Sequence, residues 1–163
     1  MTEIKYVIGD ATNPPITKGA YSVICHCCNT IGAWGAGFVI PLGNRFPSVK
    51  KEYIKFIQKT PLAQRLGNVL YVKVTHNIVV ANIMGQSRIY RDSEGNIPLN
   101  YDALKKGLEN VIERFNKYNV PYTIHMPRIG CGLAGGDWNI VENIIKEVFS
   151  ANDIEVYVYD LKK

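Results

Sequence analysis

The sequence predicts an α/β fold, a three-layer α/β/α sandwich around a mixed, mostly parallel central sheet. Three observations predict it. Short apolar runs of strand length alternate with amphipathic helical stretches along the chain. Two glycine-rich loops each follow a strand-like run and precede a helix. At 163 residues, with nearly half of them apolar, the chain is long enough for one sizeable core, so residues 1–163 are read as a single domain.

Ile4 to Ile8 reads as the first strand and ends at Gly9-Asp10, before a proline-bearing loop. Tyr21 to Cys28 reads as the second. Asn29-Thr-Ile-Gly-Ala-Trp-Gly-Ala-Gly37 follows it, and Phe38-Val39-Ile40 opens a helix reaching about Phe46. Pro47 breaks that helix and Ser48 can cap another, Val49 to Lys59, with Val49, Tyr53, Ile54, Phe56 and Ile57 on its apolar side. Val69 to Val74 and Ile78 to Met84 read as a hairpin around Thr75-His76-Asn77. Ser87 to Asn100 is polar and reads as a mobile loop or lid. A helix from Asn100 or Asp102 to about Tyr118 carries Leu104, Leu108, Val111, Ile112 and Phe115 on one face. Tyr122 to Met126 is a buried strand, Asp137 can cap a helix beginning near Trp138, and Ile154 to Tyr159 alternates as the last strand.

Composition limits the function classes. The net charge of +5 is modest, and the lysines are scattered. A nucleic-acid patch is a remote reading, whereas a basic surface suits any anionic ligand. The apolar runs are too short for a transmembrane helix. Met-Thr-Glu-Ile-Lys leads straight into a strand, which leaves no room for a signal peptide. A cytoplasmic monomer is therefore expected. Cys25, Cys27 and Cys28 crowd one strand and Cys131 stands apart. Neighbouring strand residues face opposite ways and cannot wrap one tetrahedral ion, so buried reduced thiols are expected and no metal site.

The chemistry is concentrated in the two loops. Four glycines fall between Gly130 and Gly136, and Gly35-Ala36-Gly37 closes the other loop. At such strand-to-helix turns the backbone N–H groups lack partners and the helix dipole favours an anion. Two loops facing one crevice at the carboxyl edge of a sheet can hold a diphosphate. The chain has no Walker lysine, and Gly35-Ala36-Gly37 lacks the third glycine of the dinucleotide fingerprint.

Three motifs together resemble a macrodomain, the ADP-ribose-binding module, over nearly the whole length. They are Val7-Ile-Gly-Asp10, Asn29 with Gly32-Ala-Trp-Gly-Ala-Gly37, and Pro127-Arg-Ile-Gly-Cys-Gly-Leu-Ala-Gly-Gly-Asp-Trp138. The resemblance is to the branch of ADP-ribose-1″-phosphate phosphatases and of terminal and DNA ADP-ribose glycohydrolases. It implies that Asp10, with the Ala11 backbone, meets the adenine amino group and that Asn29 holds the distal ribose. It also implies that Gly35, Ala36, Gly37, Phe38, Gly130, Cys131, Gly132, Leu133 and Ala134 offer N–H groups to the ligand, and that Tyr159 flanks adenine. His26-Cys27-Cys28-Asn29 matches the phosphatase pattern, making His26 the candidate acid or base and Asp137 the best-located second acid. The glycohydrolase lysine is missing, because Gly85-Gln86 stands there. The expected activity is hydrolysis of ADP-ribose-1″-phosphate without cofactor. The alternatives are a glycohydrolase acting on ADP-ribosylated protein or nucleic acid, and a reader that binds ADP-ribose without turnover.

Overall fold

The computed structural model describes residues 2–162. Six strands form one mixed sheet: β1 (Lys5–Ile8), β2 (Tyr21–Asn29), β3 (Val69–Lys73), β4 (Ile78–Gln86), β5 (Tyr122–Met126) and β6 (Val156–Asp160). Their order is β1-β6-β5-β2-β4-β3, and only the β3–β4 hairpin is antiparallel. Five parallel strands thus present their carboxyl ends to one edge, where α/β folds place ligands.

Four helices cover the sheet: α1 (Val39–Arg45), α2 (Pro47–Lys59), α3 (Tyr101–Asn116) and α4 (Trp138–Val148). The period-two alternation of β2 divides the core. Val23 and Cys25 pack with Leu104, Leu108 and Phe115 of α3 and Val141 and Ile145 of α4. Ile24 points the other way, to Leu42 of α1 and Val49 of α2. Every residue of β4 is buried, which marks it as a central strand covered on both faces.

Two expectations at the level of elements change. Pro47 starts α2 instead of separating two helices ahead of a Ser48 cap. Its missing N–H costs nothing in a first turn, where that group has no intrahelical partner, and its fixed φ suits the helix. Residues 87–100 are a braced strap and not a loose lid. Arg88 Nη2 donates to the carbonyls of Asn96 (2.7 Å) and Ile97 (2.9 Å), and Arg91 Nη1 donates to that of Gly95 (2.8 Å). Asp92 collects the N–H groups of Glu94 and Asn96. These are the arginine and Asx-turn contacts that a polar composition conceals.

The N-caps of α3 and α4 are as expected. Asn100 Oδ1 accepts from Ala103 N at the start of α3, and Asp137 Oδ1 accepts from Asn139 N at the start of α4. No helix among the described residues is long and apolar enough to cross a membrane.

Candidate functional site

A cavity of about 480 Å3 opens at the carboxyl edge of the sheet, between the loops that follow β2 and β5 and the root of the strap after β4. That volume is in the range of small-ligand pockets, roughly 300–1,000 Å3. Its walls include His26, Asn29, Gly35 to Phe38, Gly130, Gly132, Leu133 and Ala134, all singled out by sequence. They also include Gln86, Ile89, Tyr90 and Arg128. Gln86 was recognisable as a polar group at this edge. Arg128 stands inside the quoted glycine-loop motif but was given no role, and Ile89 and Tyr90 carried no sequence signal, because nothing local shows that the strap folds back beside the glycine loop.

The β2 loop is shaped by Asn29, which is 7 % exposed. Its Oδ1 accepts from Ile31 N (3.1 Å) and Ala33 N (3.0 Å), and its Nδ2 donates to the carbonyl of Ala33 (2.8 Å). Tyr53 of α2 supports it from below. Its hydroxyl accepts from Gly32 N at 3.1 Å and lies 2.7 Å from Asn29 O and 2.8 Å from Asn29 Oδ1, with one proton to donate between them. Asn29 therefore folds the loop first and keeps one N–H over for a ligand.

Beyond that staple, the N–H groups of residues 34–39 donate to no acceptor among the described residues, and neither do those of Gly130, Gly132, Leu133 and Ala134. A Cβ built at Gly35, Gly37 or Gly132 meets nothing within 4 Å. Gly35, Ala36, Gly37, Gly132 and Leu133 are exposed, so their donors are open to solvent, and such runs of backbone N–H groups can receive an anion. Not all of the glycines serve this end. Gly130 and Gly136 are small because Leu99 of the strap lies on them, and Ile97 lies on Gly135.

His26 lies in the cavity wall but is only 1 % exposed, between the rings of Trp34 and Phe38. Its Nε2 is 2.5 Å from Asn82 Oδ1. Asn82 Nδ2 donates to Leu70 O, so Oδ1 is the accepting atom and Nε2 carries the proton. Nδ1 is left unprotonated, with only the Cys28 thiol near it at 3.8 Å. Burial pushes the imidazole pKa down to about 4, opposed in part by the Asn82 bond. At neutral pH His26 is thus uncharged, with the Nδ1 lone pair free of a proton.

Four sequence candidates lie outside the cavity lining, and Cys131 is a fifth. The Asp137 carboxylate is spent on its cap, and its N–H donates to the Tyr101 hydroxyl at 2.9 Å. Asp10 Oδ1 accepts from both N and Oγ1 of Thr12, closing a turn at the end of β1, and Asp10 Oδ2 is 3.8 Å from Arg45 Nη2. Ala11 is buried beside it. Tyr159 is buried under Gly9, with its hydroxyl 2.7 Å from His125 Nδ1. Cys131 turns its thiol to the carbonyl of Ile129. Burial raises the thiols of Cys27 and Cys131 to about 12 and about 11, so neither is a thiolate nucleophile at neutral pH.

Among the described residues, Arg128 is the one charged side chain in the lining. Its guanidinium is fixed by a two-pronged pair with Asp160 (2.8 and 3.0 Å) and lies 5.2 and 5.1 Å from the rings of Tyr6 and Trp138. Among the described residues, no three His, Cys, Asp or Glu side chains converge as a metal site.

A six-stranded mixed sheet with glycine-rich loops at its carboxyl edge defines a class, and comparison with known proteins assigns the chain to it. The chain belongs to the macrodomain family. It is 37 % identical to a macrodomain protein from Streptomyces coelicolor, covering 97 % of this chain and 99 % of that one with a TM-score of 0.79. It is 30 % identical to the ADP-ribose glycohydrolase OARD1 of Bos taurus, over 98 % of this chain and 93 % of the relative. It is 27 % identical to an ADP-ribose 1″-phosphate phosphatase of Debaryomyces hansenii, over 96 % and 99 %. No family model matches the chain.

Proposed function

We propose that the cavity binds ADP-ribose and that the protein hydrolyses ADP-ribose-1″-phosphate to ADP-ribose and phosphate. The observation that carries the reading is the pair of unpaired N–H runs, residues 35–39 and Gly130 with residues 132–134, on two walls of one cavity. They suit a diphosphate between them, and Asn29 at the floor suits the distal ribose. The terminal phosphate then lies toward His26 and Gln86.

In the reaction water attacks phosphorus and the bond from phosphorus to the sugar oxygen breaks. His26 Nδ1, unprotonated at neutral pH, takes the proton that water releases and passes it on to the products. The loop N–H groups stabilise charge on the phosphoryl oxygens. Asp137 has no part in this chemistry and serves as a helix cap.

The composition of the lining favours a second reading, a reader without turnover. Among the described residues the wall holds no Asp, Glu or Lys. The same fact disfavours a glycohydrolase, which needs an acid or an amine at the distal ribose. The deciding experiment is a phosphorus NMR time course with ADP-ribose-1″-phosphate, run on wild type and His26→Ala, with ADP-ribose titrations of both as a folding control. Phosphate release by wild type that falls at least tenfold in the variant supports the phosphatase. Normal ADP-ribose binding without phosphate release refutes it in favour of the reader.

A further inference from the structure

Tyr90 is a large aromatic residue that lines the cavity and yet is 71 % exposed. A ring in that state loses apolar surface to solvent until something covers it. Its placement is not accidental, because the strap that carries it is fixed on both sides of the ring. Arg88 ties one flank to Asn96 and Ile97, and Arg91 ties the other to Gly95. The strap is joined to the glycine loop by the bond from Leu99 N to Ala134 O (3.0 Å) and to β4 by the bond from Asn100 N to Gly85 O (2.8 Å). Backbone movement at Tyr90 would disturb these anchors, so the ring is presented from a fixed base.

The sheet order says which part of a ligand reaches it. β1 stands at one side of the sheet and β4 toward the other, with β6, β5 and β2 between. In the proposed reading the diphosphate lies between the loops after β5 and β2 and the distal ribose at Asn29, so the ligand ends toward Gln86 at the end of β4, where the strap emerges. We propose that Tyr90 is a binding residue for the terminal sugar, its ring face lying against the C–H face of the distal ribose. The inference rests on the proposed ADP-ribose reading and adds a contact to it. Gln86 roots this arrangement, since its Nε2 donates to the carbonyl of Arg88 at 2.8 Å two residues before the tyrosine.

The test compares the affinities of wild type, Tyr90→Ala and Tyr90→Phe for ADP-ribose and for ADP, which lacks the distal ribose, by calorimetric titration. Tyr90→Ala should weaken ADP-ribose roughly three- to tenfold and leave ADP unchanged, whereas Tyr90→Phe should match wild type for both. Equal losses for both ligands, no loss for either, or a loss in Tyr90→Phe as large as in Tyr90→Ala would overturn the inference while leaving ADP-ribose binding intact. Wild type that binds neither ligand would remove the proposed function, and the inference with it.

Discussion

Leu99 lies directly on Gly136. A methyl group at Gly136 would stand 2.6 Å from Leu99 Cδ2, and one at Gly130 would stand 2.9 Å from the same atom. The strap and the glycine loop are one packed unit, and their glycines divide into two sets. Gly136→Ala should lower stability by about 1–3 kcal/mol through overpacking. Gly35→Ala and Gly132→Ala, whose new methyl groups meet nothing within 4 Å, should keep the wild-type melting temperature and weaken ADP-ribose binding about tenfold. Thermal melts with and without ligand separate the two sets. A stable Gly136→Ala protein would contradict the packing account.

Tyr53 does not line the cavity, but it holds the loop that does. Tyr53→Phe should cost about 1–2 kcal/mol, because Gly32 N and the carbonyl of Asn29 lose a buried partner. It should also reduce ADP-ribose affinity by disordering residues 29–33. Urea unfolding gives the first quantity and ligand titration the second. Unchanged affinity would mean that the loop keeps its shape without the staple.

Asp137→Ala should cost about 1 kcal/mol as a lost cap, and Asp137→Asn should restore it. Rates of phosphate release should be the same in both variants and the wild type. A collapse of the rate in Asp137→Asn at normal stability would return Asp137 to the chemistry.

Two buried imidazoles set an acid limit. Burial pushes both His26 and His125 down to about 4, and His125 is further engaged by Thr123 and Tyr159. The unfolded chain takes up these protons near pH 6.5, whereas the folded chain stays neutral down to about 4. Stability therefore falls as pH drops through that window, by about 1.4 kcal/mol per pH unit for each imidazole, and is insensitive to them above it. Urea midpoints between pH 7.5 and pH 4.5 read this slope, at intervals of about one unit. A flat profile, or imidazole NMR titrations near 6.5, would contradict it.

Much of this was legible in the sequence for a physical reason: period and capping are local. The alternation of β2 placed His26 and Cys28 together, and they lie within 3.8 Å on one face. The Asp137 cap followed from a polar residue ahead of an apolar helix. The cavity's long-range partners were not legible. Tyr53 reads as one more apolar residue of α2, since its partner Asn29 is 24 positions away. The strap reads as loose, because arginine bonds to backbone carbonyls leave no mark on composition. Position along the chain does not reveal that the Asp137 carboxylate caps α4 and lies outside the cavity lining. Asp10 and Tyr159 stand at the β1–β6 side of the sheet, beyond the lining of the cavity.

In the proposed function, two runs of free backbone donors grip one diphosphate. The most direct measurement is a titration of nitrogen-15-labelled protein with ADP-ribose, read at the amide signals of Gly35, Ala36, Gly37, Gly132, Leu133 and Ala134. The account predicts saturable downfield proton shifts at both runs with one common dissociation constant, as each N–H gains a charged acceptor. Shifts confined to one loop, or none at saturating ligand, would contradict it.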